Sequence, residues 1–250
     1  SRKGLGLKGM RSPMSAEQPI FNVPKGVLTA SAILVAVQLA LGFLPDDTAL
    51  YVVRLLAFIP ARYSGAAAEL PGGYIACVTS FVTYMIVHAG WVHLMVNLAW
   101  MVAFGSGVER RIGETKFFTF SILCGIAGAL THLVLHFGEM APVVGASAAI
   151  SGQMAAALRV VFGERSGGRL DFAHSALPSL GQSLTDPRMI LIIVMWAGLN
   201  LIFGLGAVTM GGVEGEIAWE AHVGGFLFGL LFYGFFDRVG AVREDKVALQ

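Results

Sequence analysis

Six apolar stretches, each long enough or nearly long enough to cross a lipid bilayer, constrain this chain before any other feature does. They run over residues 27–44, 91–107, 117–137, 144–162, 189–208 and 220–236. A hydrocarbon core of about 30 Å asks for about 20 apolar residues in a helix that rises about 1.5 Å per residue. Only 13% of the residues are charged, about half the share in an ordinary soluble domain. The polar residues collect between the apolar runs. The expectation is an all-α, polytopic membrane protein of six transmembrane helices, whose first partner is the lipid bilayer.

The polar stretches divide the chain. Residues 1–26 are polar and basic, with no short apolar core ending in a small-residue cleavage site, and read as a cytosolic N-terminal tail. Residues 27–237 form the membrane domain and 238–250 a cytosolic C-terminal tail. Inside the domain, Pro45 ends the first span. Residues 45–90 then hold a short apolar run, Pro60, and the turn Pro71-Gly72-Gly73, which reads as a long structured outer loop with interfacial helices. If the N-terminus is inside, all but two of the 17 Lys and Arg residues fall on the cytosolic side, the exceptions being Arg54 and Arg62. That bias expects both termini in the cytosol. A bacterial inner membrane is the expected location. A formal net charge of +1 and the lack of a basic block give no sign of a nucleic-acid partner. No internal repeat or pair of broken helices points to a transporter.

Cys77 and Cys124 make no framework, and Cys124 reads as a small buried side chain. Polar side chains inside the spans cost a few kcal/mol each, so each needs a partner or a role. His93 and Asn97 are four apart and share a helix face; His88, before Gly90, belongs to the helix entrance. These three, Ser147 near the start of the fourth span, and His222 near the start of the sixth all lie in the outer half of the bilayer. Gly225 and Gly229 continue the stripe of His222 and suit close packing against the small residues after Ser147. Such packing brings Ser147 and His222 within hydrogen-bond reach, a nucleophile and a general base with no acid to orient the histidine. The Ser147 amide, His93 and Asn97 are candidate donors to an oxyanion. Taken singly, Ser147 also fits a packing role and His222 an interfacial one. His132 and His136, an i, i+4 pair near the outer end of the third span, have the spacing of metal ligands, but no carboxylate is expected beside them, and they read as interfacial polarity; no metal is expected. Asn200 reads as an interhelical hydrogen-bonding residue.

Taken in order, these residues resemble the rhomboid family of intramembrane serine proteases. His88 to Asn97, HAGWVHLMVN, looks like the HxxxxHxxxN signature, and Glu109 to Gly113 is similar to a cytosolic ExxxG turn. Gly145-Ala146-Ser147-Ala148 stands in the place of GxSG, and Ala221 to Gly229 is like AHxxGxxxG. The resemblance implies a six-helix bundle with an outward-opening cavity. It implies Ser147 as nucleophile, His222 as base, His93 and Asn97 as oxyanion donors with the Ser147 amide, and a supporting role for His88. It implies transmembrane proteins as substrates and no cofactor, metal or nucleotide. The loop 209–219 would be a cap over the site. Two positions depart from the pattern: Ala148 in place of the second glycine, expected to be tolerated at a negative φ, and Ser151 where an aromatic often stacks on the histidine. Ser151 is expected either to bond the histidine or to leave it looser. No tryptophan–arginine pair marks the first loop, although Arg54 and Arg62 suit a comparable role. The rival to an active protease is a catalytically inactive relative that binds membrane clients. The oligomeric state is not readable.

Overall fold

The computed structural model describes residues 23–162, 172, 175–204 and 218–237, and within these the chain is helical apart from one isolated β-bridge, Phe58 with Val143. Three of the described helices are long and apolar enough to cross a membrane: α1 (Lys25–Gly42), α4 (Trp91–Ile112) and α5 (Glu114–Leu135). The chain is an integral, multi-pass membrane protein. Large apolar side chains stand exposed on these helices, among them Ile33, Met95 and Val134, as a lipid-facing surface requires.

Between α1 and α4 lies the expected structured loop. It holds α2 (Asp46–Leu56), short 3₁₀ turns at Pro60–Ser64 and Ala66–Ala68, α3 (Gly73–Thr83), and a last 3₁₀ turn at Tyr84–Ile86. Arg62, buried, ties this loop together. Its guanidinium donates to the carbonyls of Pro71 at 2.8 Å and Arg54 at 2.7 Å. Arg62 therefore fixes the loop internally; Arg54 contributes its backbone carbonyl to that tie.

α4 runs through a π turn at Met101–Gly105 and ends at Gly113, whose φ of 82° reverses the chain into α5. The Glu109 carboxylate in its last turn accepts from the backbone N–H groups of Gly26 and Val27, both at 2.7 Å. Those are donors that the first turn of α1 cannot satisfy itself. Arg111 forms a buried ion pair with Asp237 and donates to the carbonyls of Phe172 and Ser175. The ExxxG turn is thus a clamp at the end of the bundle away from Ser147.

The remaining helices are α6 (Ser147–Val161), α7 (Leu180–Thr185), α8 (Pro187–Gly204) and α9 (Trp219–Phe236). The fourth apolar run was expected to be helical from residue 144, and the helix begins at Ser147 instead. Val143 pairs with Phe58, the Gly145 N–H donates to the Tyr84 carbonyl at 2.9 Å, and Gly145 takes a φ of 114°. Irregular backbone survives at membrane depth only where protein satisfies it, and here the first outer loop does so. The resulting 15-residue helix is about 22 Å long and buried along nearly its whole length, wedged between α5 and α9. Small residues set this approach: at Gly152 an added Cβ would lie 2.7 Å from the Cys124 Cβ and 2.9 Å from the Gly225 carbonyl oxygen. Both cysteines are free thiols. Residues 1–22 of the expected N-terminal tail, the whole expected C-terminal tail, most of the stretch between α6 and α7, and nearly all of the expected cap at 209–219 lie outside the described residues, while α1 begins at Lys25, inside the expected tail.

Candidate active site

α6 and α9 pack through their glycines as their small-residue stripes anticipate, and this contact brings two side chains together. The Ser147 Oγ lies 2.7 Å from the His222 Nε2. Ser147 is the first residue of α6 and His222 sits in the first turn of α9, so both polar groups stand at one end of a tightly packed helix pair. Both are partly exposed.

No acid was expected on the other side of the imidazole, and Ser151 was the one side chain expected to reach the ring. The fold supplies another partner. The His222 Nδ1 lies 2.6 Å from the Oδ1 of Asn200, which arrives on α8. Asn200 also donates from Nδ2 to the Trp196 carbonyl at 2.8 Å, one turn back on its own helix. That bond fixes which end of the amide carries the oxygen. His222 must then donate from Nδ1, which leaves Nε2 unprotonated to accept the Ser147 hydroxyl. Asn200 is interhelical, as read from the sequence, but its partner is the histidine. A lone polar residue on an otherwise apolar run was the available signal.

Ser151 neither bonds the histidine nor points to it. Its hydroxyl donates to the Ser147 carbonyl at 2.8 Å, one turn back. The orientation expected of Ser151 comes from Asn200. Ala148 lies within the helix, and the described residues include no non-glycine residue at positive φ, so its methyl is accommodated without backbone strain.

His88, His93 and Asn97 arrive together at the start of α4. The Ala89 N–H donates to the His93 Nδ1 at 3.4 Å, so a neutral ring carries its proton on Nε2. That nitrogen faces Gly145. A Cβ built on Gly145 would fall 2.8 Å from it and 2.7 Å from the His93 Cε1. Gly145 is therefore required twice, by its left-handed φ and by the ring lying over it. His88 is buried against His93, edge-on, with ring centroids 5.1 Å apart. Asn97 is buried and donates one N–H to the His93 carbonyl at 2.8 Å, leaving its second N–H unused by that bond.

His132 and His136 do not stand without a carboxylate. Glu220, in the first turn of α9, lies beside both, and Glu139 lies beside His136. The pair and Glu220 are far apart in sequence, and only the packing of α5 on α9 joins them.

With this geometry in place, comparisons decide the family. A rhomboid domain model matches residues 76–238, more than half of the chain. The chain belongs to the rhomboid family. It is 26% identical over 211 residues to the Rhomboid protease GlpG of Haemophilus influenzae, an alignment covering 84% of this chain and 88% of that protein. It is 30% identical over 154 residues to RHOMBOID-like protein 7 of Arabidopsis thaliana, covering 62% of this chain and 41% of the plant protein. The rhomboid match includes the whole segment from His88 to Asp237, and with it every residue of the candidate site.

Proposed function

We propose that this rhomboid is an intramembrane serine endopeptidase that hydrolyses a peptide bond in or near the transmembrane segment of membrane-protein substrates. The observation that carries the reading is the chain of hydrogen bonds from Ser147 through His222 to Asn200, 2.7 Å and 2.6 Å long. The Ser147 Oγ attacks the scissile carbonyl carbon as its proton passes to the His222 Nε2. The carbonyl electron pair moves onto oxygen, where the Ser147 N–H, the His93 Nε2–H and the second N–H of Asn97 are the candidate donors. Collapse of the tetrahedral intermediate breaks the C–N bond, and the imidazolium gives its proton to the departing amine. Water repeats the sequence on the acyl-enzyme and frees the acid. Asn200 holds the imidazole in the productive tautomer, the part that a buried carboxylate takes in triads. His88 supports the His93 ring. No cofactor enters any of these steps.

Residues 27–237 are read as the membrane domain: a six-span bundle in which α6, α8 and α9 complete the set with α1, α4 and α5. The tails 1–26 and 238–250 are assigned to the cytosol from the distribution of basic residues. Likeness to a Haemophilus influenzae protein along most of both chains supports a bacterial inner membrane. A catalytically inactive, client-binding relative would leave the Ser147–His222–Asn200 chain without a use.

A fluorophosphonate serine probe tests the reading. It is expected to label the detergent-solubilised protein, and Ser147→Ala is expected to abolish both labelling and cleavage of a panel of transmembrane substrates. Labelling that persists in Ser147→Ala and disappears in Ser151→Ala would move the nucleophile to Ser151 and overturn the reading.

A further inference from the structure

At the outer end of the α5–α9 contact, three side chains converge that the peptidase reaction does not use. We propose that His132, His136 and Glu220 form a binding site for a divalent transition-metal ion, with zinc the best match.

The donor set comes first. His132 lies in the last turn of α5 and His136, four residues on, caps its end; the two rings stack with centroids 4.4 Å apart. Glu220 enters from the first turn of α9, its Oε2 3.8 Å from the His132 Nδ1 and its Oε1 3.1 Å from the His136 Nε2. One ligand atom from each residue can be chosen so that all three lie within 4.8 Å of one another. In tetrahedral zinc with bonds of about 2.0–2.1 Å, ligand atoms stand about 3.3–3.4 Å apart. The two histidine–carboxylate separations, each to a different oxygen, bracket that value, and rotation of the stacked rings would turn both imidazole nitrogens onto one ion. Two imidazoles and one carboxylate are a set that zinc favours.

Second, His132 is buried at 6% exposure, and among the described residues neither of its ring nitrogens has a hydrogen-bond partner. At 3.8 Å the Glu220 carboxylate is too far to accept a hydrogen bond from it. An imidazole with both nitrogens unused is costly in a buried setting, and a metal ion between His132 and Glu220 would engage one of the two.

The third observation is the outer partner of His136. The Glu139 Oε2 lies 3.0 Å from the His136 Nδ1, on the opposite side of the ring from Glu220. A carboxylate on the far nitrogen fixes the tautomer of a metal-ligating histidine and raises its basicity. With Nδ1–H held by Glu139, Nε2 is the nitrogen aimed at the site, and an ion would replace the proton that Nε2 shares with the Glu220 carboxylate at 3.1 Å. His136 is the most exposed of the three, which gives an ion a path from the outer aqueous phase. A fourth position is left for water.

Occupancy would fasten the outer end of α5 to the start of α9, two residues before His222. The site can nonetheless be tested without reference to peptidase activity, using the tag-free full chain in detergent on a Ser147→Ala background. Cobalt(II) is titrated and followed by its visible d–d absorption, then displaced with zinc. Expected are one cobalt per chain with bands of tetrahedral intensity, and a rise in unfolding temperature on adding zinc. His132→Ala, His136→Ala and Glu220→Gln should each remove the cobalt spectrum, and Glu139→Gln should weaken binding about 10-fold or more. His136→Ala, at the exposed edge, guards against misfolding: it should unfold at the metal-free temperature of the parent and no longer respond to zinc. No tetrahedral spectrum in the parent, or a spectrum indifferent to these substitutions, would overturn the proposal.

Discussion

A single hydrogen bond of 2.6 Å joins the His222 Nδ1 on α9 to the Asn200 Oδ1 on α8, and it leaves Nε2 as the nitrogen that faces Ser147. The amide of Asn200 is itself held by the Trp196 carbonyl one turn back on α8, so the tautomer of the histidine is set by a single turn of that helix.

Asn200→Leu removes that acceptor at nearly constant volume. The imidazole can then turn or protonate on either nitrogen, and general-base assistance, worth about 10²–10⁴-fold where it operates, is partly lost. Turnover of a transmembrane substrate is expected to fall about 10- to 100-fold with KM little changed. Asn200→Asp, which keeps an acceptor in the same place, should restore most of the rate. A parallel loss in both variants, or a change confined to KM, would assign Asn200 to packing alone.

Gly145 is the second lever. Its φ of 114° and the His93 ring over its Cα exclude any side chain. Gly145→Ala adds about 1–2 kcal/mol of backbone strain and pushes His93 off the place where an oxyanion would form. Removing one oxyanion donor costs about 10²–10³-fold in kcat, and probe labelling of Ser147 is expected to slow by about that factor. His93→Ala should slow it similarly while sparing stability, which separates the two effects in a thermal melt.

How much of this was legible beforehand depended on whether a residue's partner could be inferred from its own helix. Ser147 and His222 could be paired because glycines and alanines at helical spacing marked which faces of α6 and α9 had to touch. Asn200 could not, since nothing along an evenly apolar helix says which face meets α9. Glu220 was missed beside His132 and His136 for the same reason: the contact needs α5 and α9 to be aligned at one end, and periodicity fixes faces but not relative height. The start of α6 was placed early because Val143 and Val144 continue an apolar run. The strain at Gly145 and the backbone pairing with Phe58 and Tyr84 come from the outer loop, which carries no helical pattern.

Glu109 offers a test of the clamp, independent of the candidate active site. Its two carboxylate oxygens each accept a backbone N–H of α1 at 2.7 Å. Glu109→Gln retains one acceptor and turns an NH₂ toward the other donor. A hydrogen bond to a charged group contributes about 1.5–3 kcal/mol, so a loss of about 2 kcal/mol is expected, read as a lower unfolding temperature in detergent. Serine-probe labelling well below that temperature should be unchanged. A variant as stable as the parent would mean that α1 is held by its lipid-facing and helix contacts, without need of the carboxylate.

Topology rests so far on the basic residues, and it can be read directly. Asp47, near the start of α2, and Glu114, at the start of α5, are both exposed and lie at opposite ends of α4 and the outer loop. In a chain whose two cysteines are replaced by alanine, a single cysteine at Asp47 should react with a membrane-impermeant thiol reagent applied to intact cells. One at Glu114 should react only after the membrane is opened. The reverse pattern would place the His88–Asn97 segment, Ser147 and His222 at the cytosolic face, and with it the side from which both substrate and metal reach the protein.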